Sequence, residues 1–166
     1  MKRLLLIVLP LLFLSIGVSQ NRVNVNNLVK YGDKYFKEND DRPFNGIVFD
    51  MSKETGNKIL EYKMVNGLKN GLHQEWSLDG KLKIKGKYLN GKRNGTWLLW
   101  FNNEQISDEI TYKYGELISK KKWNQDGSLI EQKRYIKGSE ASIAFLYINV
   151  GDQNDLNFLE FITEEV

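Results

Sequence analysis

The chain has 166 residues, enough for one domain and a short appendage, and no cysteine, so disulfides and thiolate metal sites are both excluded. Its formal charge of +3 is too small to mark a nucleic-acid binder by bulk electrostatics. A basic stretch and an acidic stretch are separated all the same: 16 Lys and Arg against 9 Asp and Glu from Asn57 to Gly138, then 6 acidic and no basic residues from Ser139 to Val166.

Lys2 and Arg3 precede the apolar run Leu4–Val18, which ends in Gly17-Val18-Ser19. A basic start, a short apolar middle and small residues before Gln20 predict a secretory signal peptide over residues 1–19, cleaved between Ser19 and Gln20. A membrane span needs about 20 apolar residues, so no transmembrane helix is expected in the mature chain. Its 22 basic and 21 acidic side chains nearly cancel once Lys2 and Arg3 are gone. The expected address is periplasmic or secreted.

Residues 20–42 form a polar lead-in and then a hairpin, in which Leu28–Tyr31 and Lys34–Lys37 flank the turn pair Gly32-Asp33. From Pro43 to Gly138 the chain is periodic. Gly67, Gly91, Gly115 and Gly138 are 24, 24 and 23 residues apart. Tyr88, Tyr112 and Tyr135 each stand three residues before one of these glycines, and Trp76, Trp100 and Trp123 follow the first three by 9, 9 and 8. Such an interval marks an array of supersecondary units. Lys81–Tyr88 alternates charged with uncharged residues, the period of a strand. Asp79-Gly80 and Asp126-Gly127 supply tight turns, with Asn103 standing in the corresponding place between them. The duplicated pairs Asn66-Gly67/Asn70-Gly71 and Asn90-Gly91/Asn94-Gly95 supply longer ones. The predicted fold is all-β: an antiparallel meander of repeated β-hairpins, with the Tyr and Trp rows in its core.

Tyr88-Leu89-Asn90-Gly91-Lys92-Arg93-Asn94-Gly95-Thr96-Trp97 resembles the Tyr-x-x-Gly-x-x-x-Gly-x-Trp core of MORN-type repeats, and is most similar to the bacterial MORN-variant group whose members are often labelled antitoxin components. The resemblance covers about Pro43–Gly138 in roughly four copies. Met64 stands where other copies have tyrosine, and Ser119 replaces a glycine. It implies an elongated, curved sheet that binds or spaces partners, with links to acidic lipids and membrane scaffolds and with no catalytic residue. Residues 139–166 lie beyond the array and are expected to cap it. Ile143–Val150 reads as a strand, and Leu156–Thr163 as a returning strand or one short helix.

No enzyme is expected. His73 is the only histidine and has no second metal ligand or catalytic partner in its surroundings. Asp108 and Glu109 alternate across a strand, and the glycines fall in Asn-Gly turns and not in a phosphate loop. No catalytic, cofactor or metal residue is therefore assigned, and no cofactor is implied. Two features suggest a partner surface. Thr96, Leu98 and Trp100 continue the inner face of Leu72, Gln74 and Trp76, which leaves Trp97, Leu99 and Phe101 as an outer apolar patch. That patch is covered either by Ile143–Thr163 folding back or by a partner. Lys81, Lys83 and Lys85 line one strand face, either as a solvated face or as a site for an anionic group. The partner expected is a protein or envelope surface, with acidic lipid or polysaccharide as further candidates and nucleic acid set aside. The leading function is an exported scaffold or adaptor; the alternative is an antitoxin- or immunity-type protein.

Overall fold

The computed structural model describes residues 21–137, 142–147 and 161–163, with side chains through Tyr135. Residues 1–19, expected to be a signal peptide, lie outside the described residues, as do Gln20 and most of Leu156–Thr163. The fold is all-β. Its strands are β1 (Arg22–Asn24), β2 (Leu28–Tyr31), β3 (Lys34–Lys37), β4 (Gly46–Met51), β5 (Lys58–Val65), β6 (Leu68–Trp76) and β7 (Leu82–Leu89). They continue as β8 (Lys92–Arg93), β9 (Gly95–Trp100), β10 (Ile106–Lys113), β11 (Glu116–Trp123), β12 (Leu129–Lys137), β13 (Ser142–Tyr147) and β14 (Phe161–Thr163). Among the described residues the only helix is a 3-10 turn at Val25–Asn27, and no helix is long and apolar enough to cross a membrane.

Twelve strands make one sheet, in the order β1-β4-β5-β6-β7-β9-β10-β11-β12-β13-β14, with β8 pairing beside β7. Consecutive strands pair antiparallel, and only β1 joins in parallel, against β4. The separate hairpin β2–β3 packs near the first end of the sheet, where Val23, Phe44, Val48, Tyr62 and Met64 form the buried cluster with Val25, Leu28, Tyr35 and Leu60 against it.

One irregularity recurs along the sheet. Asp50 and Met51 pair with Leu60 and Lys58, leaving Ile59 over. Glu75 and Trp76 pair with Ile84 and Leu82, leaving Lys83. Leu99 and Trp100 pair with Asp108 and Ile106, leaving Ser107. Lys122 and Trp123 pair with Glu131 and Leu129, leaving Ile130. These bulged residues are 24, 24 and 23 positions apart, the interval of the glycines.

The turns recur too. Asn66-Gly67, Asn90-Gly91 and Tyr114-Gly115 all have positive φ at both positions, the two-residue turn whose twist matches the flanking strands. At the opposite edge Gly80 and Gly127 adopt φ of 85° and 87°, and between them it is Glu104, at φ 66°, that takes the glycine's place. This corrects the assignment of that position to Asn103. The Asn103 side chain instead accepts the amide of Gln105, as Asp126 accepts that of Ser128.

A second correction concerns the faces. Trp97 is 2% exposed and His73 3%, whereas Leu72 is 41% exposed and Trp76 and Trp100 are only half-buried. The buried side is the one expected to lie outside. Gly86 is the cause. It pairs with His73, and a Cβ there would stand 2.2 Å from the Trp97 ring, so its missing side chain is the space the indole fills. Of Ile143–Thr163, expected to fold back over the sheet, the described parts do otherwise: β13 adds edge-to-edge onto β12 and β14 onto β13, while residues 148–160 lie outside the described residues.

Gly86→Ala is expected to destabilise the protein by about 1–3 kcal/mol through overpacking, and Trp97→Ala by about 3–5 kcal/mol. Trp100→Ala should cost clearly less than Trp97→Ala; equal losses in urea denaturation would reverse the face assignment. Tyr114→Asn, which puts a residue tolerant of positive φ into a strained turn, is expected to raise stability by about 1 kcal/mol.

Candidate functional site

The two faces of the sheet differ in chemistry, and strand alternation decides what each carries. Tyr62 pairs with His73 and His73 with Gly86, while Trp97 pairs with Ile110 across the next interface. On this face His73 stacks on Tyr62 with ring centroids 5.6 Å apart, lies 5.4 Å from Trp97 and meets the Tyr88 ring nearly edge-on at 5.5 Å. Trp97 meets Tyr88 in turn at 5.0 Å, and its Nε1 donates to the Lys87 carbonyl at 3.2 Å. Two cations are laid over the aromatics. Lys69 Nζ is 4.4 Å from the Tyr62 ring centre and 5.0 Å from that of Tyr88. The Arg93 guanidinium is 4.5 Å from Trp97 and 5.3 Å from Tyr112, and Nη1 donates to the Tyr112 hydroxyl at 3.0 Å.

Burial sets the protonation of this cluster. It pushes the Tyr62 phenol up to about 12 and lowers the Lys69 ammonium. His73 is held below its ordinary value mainly by burial, against the opposing pull of Glu75, whose Oε1 accepts from Nε2 at 2.8 Å. Nδ1 is buried with no hydrogen-bond partner, which suits the neutral ring, where it carries a lone pair, and penalises the imidazolium, where it would be a donor. Aromatic rings, both cations and His73 pack against one another here.

The six residues expected to form a partner surface are not brought together. Trp97 is core. Leu99 pairs with Ile84 and Asp108 on that same face, and Phe101 sits in the tight turn, its amide donating to the Gln105 carbonyl at 2.9 Å. Lys81 donates to the Asn102 carbonyl at 3.2 Å and pairs with Glu104 at 3.6 Å, and Lys83 bonds the Asn102 side chain. Both lysines thus tie one turn to the next. Lys85 alone lies on the opposite face, between Gln74 and Leu98, exposed and without an ion pair among the described residues.

That opposite face carries the residues that reading the alternation alone misplaced. Trp76, Trp100 and Trp123 directly follow Glu75, Leu99 and Lys122 on unbulged stretches, so they point away from the His73 side, with Gln74, Lys85, Leu98, Glu109 and Lys121. Ile106 at 38% and Met51 at 42% exposure extend this open face. The extra residue at each bulge is what carries Leu82 and Ile106 across to it, and a bulge has no reliable mark in sequence.

The single histidine makes acid sensitivity testable. The unfolded chain takes up a proton at His73 near 6.5 and the folded chain at a lower pH. Stability is therefore complete above that value and falls as the pH drops through and below it. Urea midpoints at pH 7.5 and 5.5 should differ for the native chain and converge for His73→Phe, which keeps a ring in the stack; an unchanged native midpoint would contradict the burial of a neutral ring.

No family model matches the chain, nor does any curated protein. Among solved structures it is similar to the crystal structure of accessory secretory protein 1, 2 and 3 in Streptococcus pneumoniae, at 16% identity and a TM-score of 0.35, over 69% of this chain and 20% of that one. The chain thus spans about a fifth of that structure's length, a likeness too slight to carry an argument about either fold or partner.

Proposed function

We propose that the chain is an exported, non-enzymatic binding module, an array of MORN-variant hairpins that acts as scaffold or adaptor at a protein or envelope surface. The observation that carries this reading is the recurrence of one turn contact. Gly67 N donates to Phe44 O at 2.9 Å, Gly91 N to Lys69 O and Gly115 N to Arg93 O at 2.8 Å, each bond joining one turn to the chain 22 or 23 residues before it. A fold built from near-identical steps presents near-identical side chains at a fixed spacing, which serves recognition of an extended partner better than enclosure of a small substrate. The leader-like residues 1–19 and the Tyr-x-x-Gly-x-x-x-Gly-x-Trp core of residues 88–97 support the same reading.

In cells of its own source, the native protein is expected to begin at Gln20 and to fractionate with the envelope or the medium. A photocrosslinking residue placed at Lys85 should form adducts there. Intact Met1 in a cytoplasmic fraction, with no adduct, would overturn the proposal.

A further inference from the structure

The three tryptophans of the open face stand in line. Trp76 pairs with Leu82 on β7, where Ile84 pairs with Leu99, the residue before Trp100; Trp100 pairs with Ile106 on β10, where Asp108 pairs with Lys122, the residue before Trp123. All three indoles therefore lie at nearly one level, in a row running across the strands. Each is two strands from the next, through β7 and through β10. Neighbouring strands are separated by roughly 4.8 Å, so successive indoles are about 9.5 Å apart.

All three tryptophans are half-buried. Lys58 Nζ sits 4.4 Å from the Trp76 ring centre, so a cation of this face covers one side of that indole, and a bound chain would displace it there. The paired residues of this face are mainly basic: by register Arg22, Lys58, Lys63, Lys85, Lys87, Lys121 and Arg134 share it with Glu61 and Glu109. Glu61 is engaged by Arg22 and Lys58, and Glu109 by Lys121, leaving Lys63, Lys85 and Lys87 facing solvent. The His73 face is different: there Asp108 and Glu131 hold Lys120 and Lys133 in a closed network.

We propose that this face binds a linear anionic polysaccharide, with the C–H faces of alternate sugars on Trp76, Trp100 and Trp123 and a carboxylate at Lys85, which pairs with Gln74 and Leu98, one same-face step from the row. The inference rests on the reading of the chain as a binding module and names its ligand. The spacing selects the class. A single-stranded nucleic acid stacks successive bases on its aromatic platform, at shorter steps than the indoles are set; a disaccharide repeat is close in length to the indole interval. A bilayer would call for aromatic side chains that project into it, and these tryptophans are half-buried. Pyranose C–H groups stack on the electron-rich indole face, and the ammonium groups give an attraction that salt weakens.

Hyaluronan oligosaccharides of increasing length, added to the full mature chain and followed by tryptophan fluorescence, test the proposal. Affinity is expected to rise up to the hexasaccharide, which spans all three rings, and then level off. Trp100→Ala is expected to weaken hexasaccharide binding about tenfold, and Lys85→Ala to weaken it and flatten its salt dependence, while Lys122→Ala on the other face leaves it unchanged. Circular dichroism confirms that each variant is folded; should Trp100→Ala unfold, Trp123→Ala and Lys85→Ala still decide. Binding that ignores length or tryptophan loss overturns the proposal. So does silence toward hyaluronan combined with binding to phosphatidylglycerol vesicles or single-stranded oligothymidylate. A chain found exported and crosslinked at the envelope but silent toward the glycan loses this inference and keeps the module reading; a cytoplasmic chain loses the latter first.

Discussion

The structure depends on hydrogen bonds that tie each turn to the turn beside it. At one edge the amides of Gly67, Gly91 and Gly115 donate to carbonyls at Phe44, Lys69 and Arg93. At the other, Asn57, Lys81 and Asn103 donate to the carbonyls of Leu78, Asn102 and Gln125. A wide antiparallel sheet has its ladder bonds in the middle of its strands and loose loops at both margins. Here the margins are bonded as regularly as the interior, so the register of one hairpin fixes that of the next. The sequence requirement is narrow: an Asn or Gly able to hold positive φ, and a polar side chain one interval away. Asn45, Asn70 and Asn94 meet it on the longer turns, reaching the Asn66 amide, the Asn90 side chain and the Tyr114 amide.

With register fixed, the two faces take different chemistry. One is closed: aromatic rings and His73 fill the room left by Gly86, and Lys69 and Arg93 cover the rings with their own charge. The other holds its half-buried indoles with Lys63, Lys85 and Lys87, which have no acidic partner among the described residues. A sheet with one packed and one solvated side is the ordinary antiparallel arrangement. What is particular is that the solvated side carries the larger aromatics.

The strands and turns were legible in the sequence because period-two alternation and Asn-Gly pairs are local signals with a direct mechanical cause. Which face is buried was not. The alternation in Lys81–Tyr88 correctly separates Ile84 and Tyr88 from Lys85 and Lys87, but it also groups Leu82 with Ile84, and the bulge at Lys83 parts them. That one step brings Leu82 to the lysine side, beside Trp76. The deciding residue, Gly86, leaves the alternation of charged and uncharged residues intact; its meaning depends on an indole that arrives eleven positions later, from a different strand. Glu104 shows the same limit in a turn. Nothing local distinguishes it from Asn103 as the residue of positive φ, and Asn is the better intrinsic candidate.

The two turns that depart from the pattern, at Glu104 and Tyr114, both have a bulky side chain at positive φ, and they bracket the same strand, β10. Every other long strand from β5 to β11 has at least one end closed by a glycine turn whose residues all suit their conformation. β10 pairs with β9 on one side and β11 on the other, each ladder interrupted once, and both of its hinges hold a non-glycine residue at positive φ. In a sheet where each strand is coupled only to its neighbours, that makes β10 the natural boundary between two cooperatively opening units, one carrying the buried N-terminal cluster and the other the Lys120 network.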